Sequence, residues 1–412
     1  MKTAKLKKID VFILISLSCT VIFLIMLIAT KGEAAKWLVM EGHFGGAYTD
    51  HFRCICYVSD LKHFYFNTDD ASFPPFAFLL YYLLVLINPP EEPWDIMAWD
   101  DVMGYRFNML VYIMLVIIIC LVLKLLADLY LPEEGKTKTT LLTAAVLLSA
   151  PFMSGVIERG NIAFLTLVMV LAALYLKDRD SAVCREAALI LIAMAAGIKM
   201  YPAVAGFLYI KEKRWKEGFR LLAYGLIVFF VPFAFVGGIP ALIRYCQVTF
   251  LYGKQSFCSW TNIRNFLLSI SRVLGQYENS ASFVKYFIMI ENLYLLLCVV
   301  SLFKTGKKWK TGLYIAGAMA LYVPYSFRYV ACYMAIPLFM LFAEKQEEQR
   351  YAYIIMFALT FTVPFYGFFT GIEADFFIFL PIYIIMIFSF AEEWIVPLIK
   401  KGGGRQAAEK AA

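Results

Sequence analysis

The sequence predicts an all-α polytopic membrane protein of about twelve transmembrane helices, with one re-entrant helix in its first extracytoplasmic loop. Three observations carry that prediction. Hydrophobic residues make up 62% of the chain and charged ones 17%, where a soluble protein carries about a quarter charged residues. Mean hydropathy is +0.71, and the apolar residues fall in separated runs rather than in the period-two alternation of a membrane barrel. The net charge of +7 is split into short basic clusters between those runs. Such clusters orient a protein in the bilayer; they do not make a nucleic-acid surface.

Met1 to Lys8 holds four lysines, and Ile9 to Ala29 is unbroken apolar sequence. A signal peptide opens in the same way, but its apolar region stops at about 7–15 residues. The stretch therefore reads as an uncleaved anchor with a cytoplasmic amino end, and 31–104 becomes the first extracytoplasmic loop. Within that loop Pro74–Asn88 is apolar yet shorter than the roughly twenty residues of a crossing. The PPEEPWDIMAWDD that follows is acidic and has no lysine or arginine. If Pro74–Asn88 crossed, every later basic cluster would fall outside; if it dips and returns, they fall inside. The remaining spans then keep one parity: Tyr105–Ala127, Thr139–Ile157, Ile162–Leu176, Ala187–Ile198, Ala203–Ile210, Phe219–Val236, Val284–Phe303, Leu313–Val323, Val330–Phe342, Tyr351–Phe369 and Phe376–Phe390. Residues 237–283 form a second large outer loop. Gly197, Lys199 and Pro202 interrupt the pair 187–198 and 203–210, and broken helices at membrane depth occur where backbone is buried in protein or lines a wet cavity. No repeat or linker divides the chain, so 1–412 reads as one integral domain.

Nine cysteines form no CxxC pair. Cys54 and Cys56 are too close for an easy mutual disulfide, and Cys246–Cys258 in the outer loop is the candidate bridge.

The chemistry concentrates in Gly42–Asn88, which holds Asp50, Asp60, Asp69, Asp70 and all three histidines, His43, His51 and His63. Asp50 is either a general base at a membrane–water boundary, where partial desolvation suits a carboxylate to that task, or an Asx-turn or helix N-cap. Asp60 has the same two readings, and Asp69-Asp70 suits loop and capping chemistry. The histidine spacings match no metal-ligand pattern, so no metal is expected and the histidines read as solvated. Lys199 lies in IAMAAGIKMYPAV, and an ionisable group among apolar residues is costly enough to suggest function. It either binds a lipid phosphate or snorkels to the outer interface. Arg159 and Arg328 also fall outside; each can clamp a phosphate bidentately or pair with an outer carboxylate. Asn161 is an N-cap first and a ligand second. Tyr201, Tyr325 and Tyr329 are interfacial belt residues or sugar platforms.

Asp50 in the outer loop, FPPFAFLLYYLL, ERGNIAFL and AAGIKMYPAV followed by KEKRWK occur in this order. Together they resemble glycosyltransferase family 87, which contains polyprenyl-phosphate-mannose-dependent mannosyltransferases of the GT-C type. The likeness runs from about Gly45 to Trp215, and after Gly237 it holds only in outline. It implies an inverting hexosyltransferase that needs no cofactor, whose base is an aspartate of the first outer loop, by position Asp50. It also aligns the Lys-x-x-Pro hairpin with Lys199 and Pro202, and the Gly-Asn helix start with Gly160 and Asn161. The aromatic-Pro-Pro falls on Phe73, Pro74 and Pro75, with phenylalanine where tyrosine is common. Many GT-C enzymes carry paired acids at the base position, and Asp50 has no acidic neighbour, so Asp60 stays as second choice. The implied partners are a polyprenyl-phosphate sugar donor, a glycolipid or glycan acceptor and membrane lipids. The implied place is the extracytoplasmic face of the cell membrane. The rival from another class is a transporter or flippase of lipid-linked saccharides, which would share a basic lipid site and broken helices; a non-catalytic scaffold is the third reading.

Overall fold

A computed structural model describes residues 7–38, 48–68, 71–87, 105–252, 259–276, 280–322, 326–344, 351–365 and 373–399. His43, Asp69, Asp70, Cys258, Tyr325 and the acidic PPEEPWDIMAWDD stretch lie outside these residues. The described chain is all-helical, without strands. Five helices are long and apolar enough to cross a membrane: Lys8–Ala29, Phe107–Tyr130, Trp215–Ala234, Phe283–Lys304 and Ala374–Ile399. A sixth candidate is the pair Gly135–Leu147 and Ala150–Glu158, bent by 58°. The bend falls at Ser149-Ala150-Pro151, where Pro151 supplies no N–H to continue the first helix and the Ala150 N–H donates instead to the Thr362 carbonyl at 3.0 Å. Shorter apolar helices occupy Pro75–Ile87, Ala163–Leu176, Arg328–Ala343 and Tyr351–Thr360.

Burial divides these helices into lipid-facing and central ones. Leu110, Met114, Ile117, Leu121 and Leu125 are exposed on one face of the Phe107–Tyr130 helix, while Tyr112, Ile119, Leu123 and Leu126 are buried on the other. An apolar outward face of this extent is stable only against hydrocarbon. The Lys308–Leu321 helix has no such face: every residue from Trp309 to Leu321 is buried. Its small residues permit close approach. A Cβ on Gly317 would lie 2.6 Å from the Met386 Cε, and one on Gly312 would lie 2.5 Å from the Met340 Sδ.

Chain direction sorts the polar groups into two ends. The Ala163–Leu176 helix begins beside Asn161 and ends at Lys177, and Ala182–Ile198 runs back to Lys199. At the Lys177 end lie ion pairs, Lys138–Asp10 at 2.7 Å and Lys7–Glu134 at 3.2 Å, with the buried Lys177 on Glu212 at 2.6 Å. Arg159, Asn161 and Lys199 lie at the opposite end. The segregation follows from connectivity: a helix that starts at one level must finish about 1.5 Å per residue away.

Two stretches expected as loops carry helices. Residues 31–104 contain Glu33–Leu38, Thr49–Val58 and Phe64–Asn67 beside the expected helix at Pro75–Ile87, and residues 237–283 contain Gly238–Cys246 and Ile263–Val273. The expected crossing Ala203–Ile210 is instead a 3-10 turn, Tyr201–Gly206, followed by the short helix Phe207–Lys211. Pro202 stands at the start of that turn, and its fixed φ and missing N–H favour a tight restart over a continuous helix.

Candidate functional site

Asp50 stands in the first turn of the Thr49–Val58 helix, and the segment Glu158–Asn161 wraps around that helix start. The Tyr48 N–H donates to the Glu158 carbonyl at 2.5 Å and the Asp50 N–H donates to the Arg159 carbonyl at 2.9 Å. Gly160 makes this wrapping possible. Its φ of +70° lies in the left-handed region, and a Cβ there would sit 2.9 Å from the His51 Cβ and 3.0 Å from the Tyr48 Cα. Only glycine meets both demands without strain.

The wrap aims two side chains at the carboxylate. Arg159 donates from Nη2 to Asp50 Oδ1 at 3.0 Å, and Asn161 donates from Nδ2 to Oδ2 at 2.6 Å. The Asn161 Oδ1 accepts from the Ala163 N–H at 3.0 Å; the N-cap itself is Ile162, so Asn161 holds the helix start through an Asx turn one residue before the expected cap and contacts the site with the same amide. The Asp50–Arg159 pair is mostly buried, with side-chain exposures of 17% and 9%. The Arg159 guanidinium also lies over the Phe327 ring at 5.8 Å. A carboxylate offers about four lone-pair positions, so two donors leave acceptor capacity for a substrate hydroxyl.

Lys199 follows the last residue of the Ala182–Ile198 helix with extended backbone, φ −142° and ψ 129°. It does not snorkel: the residue is only 4% exposed. Its ammonium faces three rings, Phe73 at 4.2 Å, Tyr329 at 4.6 Å and Tyr201 at 6.0 Å. Among the described residues it makes no hydrogen bond or ion pair. Ring faces attract an ammonium but satisfy none of its three donors. Burial pushes the Lys199 ammonium down to about 8, and the negative charge of Asp50 pulls partly the other way. The two groups therefore share one electrostatic environment.

Phe73 reaches Lys199 because its segment is pinned. Tyr65 Oη donates to the Phe73 carbonyl at 2.8 Å, and Pro74-Pro75 leads into the Pro75–Ile87 helix with Pro75 as its first residue, where a missing N–H costs nothing. Tyr201 is held by the Tyr333 hydroxyl, 3.3 Å away. Arg328 opens a 3-10 helix, Arg328–Met334. Its Nε donates to Asp375 Oδ1 at 2.5 Å, and its Nη1 to the Leu38 carbonyl at 2.7 Å and to Ser154 Oγ at 2.9 Å. Arg159 and Arg328 thus both take the carboxylate pairing, one of the two readings open to them.

Asp60 is elsewhere. It bonds His63 at 3.0 Å and Asn67 at 3.4 Å in an exposed turn. His51, expected to be solvated, is buried: its Nε2 lies 3.2 Å from the Asn108 carbonyl and its ring 4.7 Å from Tyr112. Burial lowers its pKa to about 4, so the ring is neutral at pH 7 and Nε2 carries the proton donated to Asn108. Among the described residues no three His, Cys, Asp or Glu side chains converge as a metal cluster. Sequence reasoning missed Asp375, Ser154 and Phe327. Asp375 was visible as an acid at a helix start, but nothing local named its partner.

An apolar groove of about 470 Å³ opens beside the lysine. It is lined by Ala193, Gly197, Met200, Phe219, Gly225 and Phe229 among others, from the helices that flank the Lys199 break. Phe219 and Leu226 are largely exposed, so the groove is open toward the lipid-facing surface.

Several apolar helices of membrane-spanning length, with a carboxylate and a buried cation sharing one end of the helices, define an integral membrane protein with a polar site. Residues 72–344 match the model of glycosyltransferase family 87. That is well over half of the chain, and the protein belongs to this family: it is a membrane glycosyltransferase. The matched span includes Phe73, Arg159, Asn161, Lys199, Tyr201 and Arg328, while Asp50 precedes it. No curated protein and no solved structure matches the chain.

Proposed function

We propose that the protein moves a hexose, mannose by family likeness, from a polyprenyl-phosphate donor to a hydroxyl of a glycolipid or glycan acceptor at the extracytoplasmic face of the cell membrane. The observation that supports the reading is the buried Lys199 ammonium, which has no ion pair among the described residues and lies within the electrostatic influence of the Asp50 carboxylate. The short apolar helices Ala163–Leu176, Arg328–Ala343 and Tyr351–Thr360 add to the long ones in a polytopic fold of the GT-C type, with Pro75–Ile87 as a re-entrant element over the site.

The prenyl chain lies in the apolar groove and delivers its phosphate to Lys199. The acceptor hydroxyl binds at the open lone pairs of Asp50. Its oxygen attacks the anomeric carbon and its proton passes to Asp50, while the bond from that carbon to the phosphate oxygen breaks. The bond pair leaves with the polyprenyl phosphate. Attack opposite the leaving group inverts the anomeric centre through an oxocarbenium-like state, and Lys199 stabilises the charge that accumulates on the departing phosphate. Arg159 and Asn161 orient Asp50. Arg328, braced by Asp375, holds the Tyr329 segment against the lysine, with its positive charge set behind the phosphate.

The test is transfer from a synthetic polyprenyl-phosphate hexose by the purified chain in detergent. Sugar transfer with inversion, lost in Asp50→Asn, is expected. A flippase needs two sides and gives no product in detergent; absence of transfer there, together with vectorial movement in liposomes, would replace this reading with the transport one.

A further inference from the structure

Asp50 is registered to the start of the Ala163–Leu176 helix, and Lys199 follows the end of Ala182–Ile198. A third element reaches both. The 3-10 helix Arg328–Met334 is buried at every residue. It sets the Tyr329 ring centroid 4.6 Å from the Lys199 ammonium, and the Tyr333 hydroxyl 3.3 Å from that of Tyr201, two residues after the lysine.

Tyr333 Oη is a junction. Besides Tyr201 it meets the Ala163 carbonyl oxygen at 3.2 Å and hydrogen-bonds Thr166 Oγ1. A phenol has one proton and two lone pairs, which matches three partners of which two are hydroxyls. Thr166 Oγ1 reaches the same Ala163 carbonyl at 2.7 Å. Thr166 and Tyr333 are fully buried. Ala163 is also the residue whose N–H is held by Asn161, which in turn holds Asp50. Hydrogen bonds thus run from Tyr201 through Tyr333, Ala163 and Asn161 to the carboxylate. The 3-10 helix meets the Asp50 wrap a second time. A Cβ on Gly155 would lie 2.7 Å from the Tyr329 Cα and backbone N, so the Met153–Glu158 segment that leads into the wrap packs directly on the Tyr329 backbone. Arg328 ties the same segment through Ser154 Oγ at 2.9 Å.

We propose that Tyr333, together with Thr166, is a positioning residue that fixes the separation of the base from the phosphate-binding cation, an inference that rests on the transferase reading above. Neither side chain is placed at the reacting atoms. Tyr333 acts on one side through Tyr201, which sets the turn after Lys199, and on the other through Ala163, where Asn161 registers Asp50. In-line transfer needs the attacking oxygen, the anomeric carbon and the departing phosphate oxygen aligned, and a misplacement of about 1 Å can cost about 100-fold in rate. Hydroxyls that only satisfied one another would stabilise the fold and leave the rate alone, and that difference separates the two roles.

The full chain in nanodiscs is given a radiolabelled polyprenyl-phosphate hexose, with the glycolipid and glycan extract of the producing cells as acceptor source. Tyr333→Phe should lower the saturated rate about tenfold or more, with the donor KM within about twofold. Thr166→Val, an isostere that cuts the next link, should do the same, and the double variant should fall no further than the worse single one. Thr166→Ser keeps the hydroxyl and should recover most of the loss. Tyr130→Phe is the control: its Oη donates to the Leu171 carbonyl at 2.9 Å, toward the Lys177 end of the same helix, so it should lower the melting temperature and leave the rate unchanged. A wild-type rate in Tyr333→Phe or in Thr166→Val overturns this inference alone. So does an equal loss of rate in Tyr130→Phe, or multiplied losses in the double variant, because either marks general loosening. If Tyr333→Phe fails to fold, the contrast between Thr166→Val and Thr166→Ser decides, and equal rates in those two overturn the inference. No transfer by the wild-type chain overturns the transferase reading and this role with it.

Discussion

Asn161 ties Asp50 to a helix start: one end of its amide donates to the carboxylate at 2.6 Å, and the other accepts the Ala163 N–H at 3.0 Å. The carboxylate proposed as base is therefore registered against the Ala163–Leu176 helix as well as held in its own helix start. With Arg159 on the other oxygen, the acid is held in one orientation.

Asp50→Asn keeps the size and one acceptor but removes the basic oxygen. General-base contributions run to about 10²–10⁴-fold, so transfer in detergent should fall by at least about 100-fold while the protein stays monodisperse. Near-wild-type turnover would remove Asp50 from the mechanism.

The Lys199 ammonium, pushed down to about 8 by burial, gives a pH signature with two opposed parts. Transfer should decline as pH rises through about 8, because the donor phosphate loses its cation. Stability should move the other way. The folded pKa lies below the unfolded value, so the unfolded chain binds more protons between about 8 and 10.5, and unfolding becomes harder as pH rises across that window. A thermal scan beside the activity profile checks both, and Lys199→Arg, charged throughout, should flatten the alkaline limb. A parallel fall of activity and melting temperature would point to simple alkaline unfolding.

Gly160 and Gly135 both have positive φ, +70° and +76°, but a Cβ at Gly135 meets nothing within 4 Å. Gly135→Ala should cost only the backbone strain, about 1 kcal/mol. Gly160→Ala must also displace Tyr48 and His51, and should lose both more stability and most of the transfer activity. Equal melting shifts for the two variants would contradict the wrapped geometry around Asp50.

The Arg328–Asp375 pair is buried, with side-chain exposures of 7% and 13%. Arg328→Ala leaves Asp375 without its cation and should cost about 3 kcal/mol. Removing Asp375 as well should return part of that loss, since coupled neighbours are not additive. A double-mutant cycle in chemical denaturation reads the coupling, and strict additivity would deny it.

A Cβ on Gly225 meets nothing within 4 Å, although the residue lines the apolar groove. Gly225→Leu should therefore fold normally and obstruct the groove. The KM for a long-chain polyprenyl-phosphate donor should rise about tenfold or more, the effect of one lost apolar side chain's worth of burial, while a short-chain analogue is unaffected. An unmoved long-chain KM would exclude the groove as the lipid path.

The amino-acid sequence by itself determined that this is a helical membrane protein, and it marked Asp50 and Lys199. Both facts are one-dimensional: long apolar runs announce spans, and an ionisable group among apolar residues stands out because its burial is costly. Only the tertiary structure decided the partners. Arg159 and Asp50 are 109 residues apart, and Arg328 and Asp375 are 47 apart. No periodicity encodes which cation meets which acid. Likewise His51 looked solvated in its polar sequence and is buried, because the Glu158–Asn161 wrap and the Phe107–Tyr130 helix close over it. Packing between distant segments left the Lys199 ammonium without an ion pair among the described residues, and on that the proposed anion site rests.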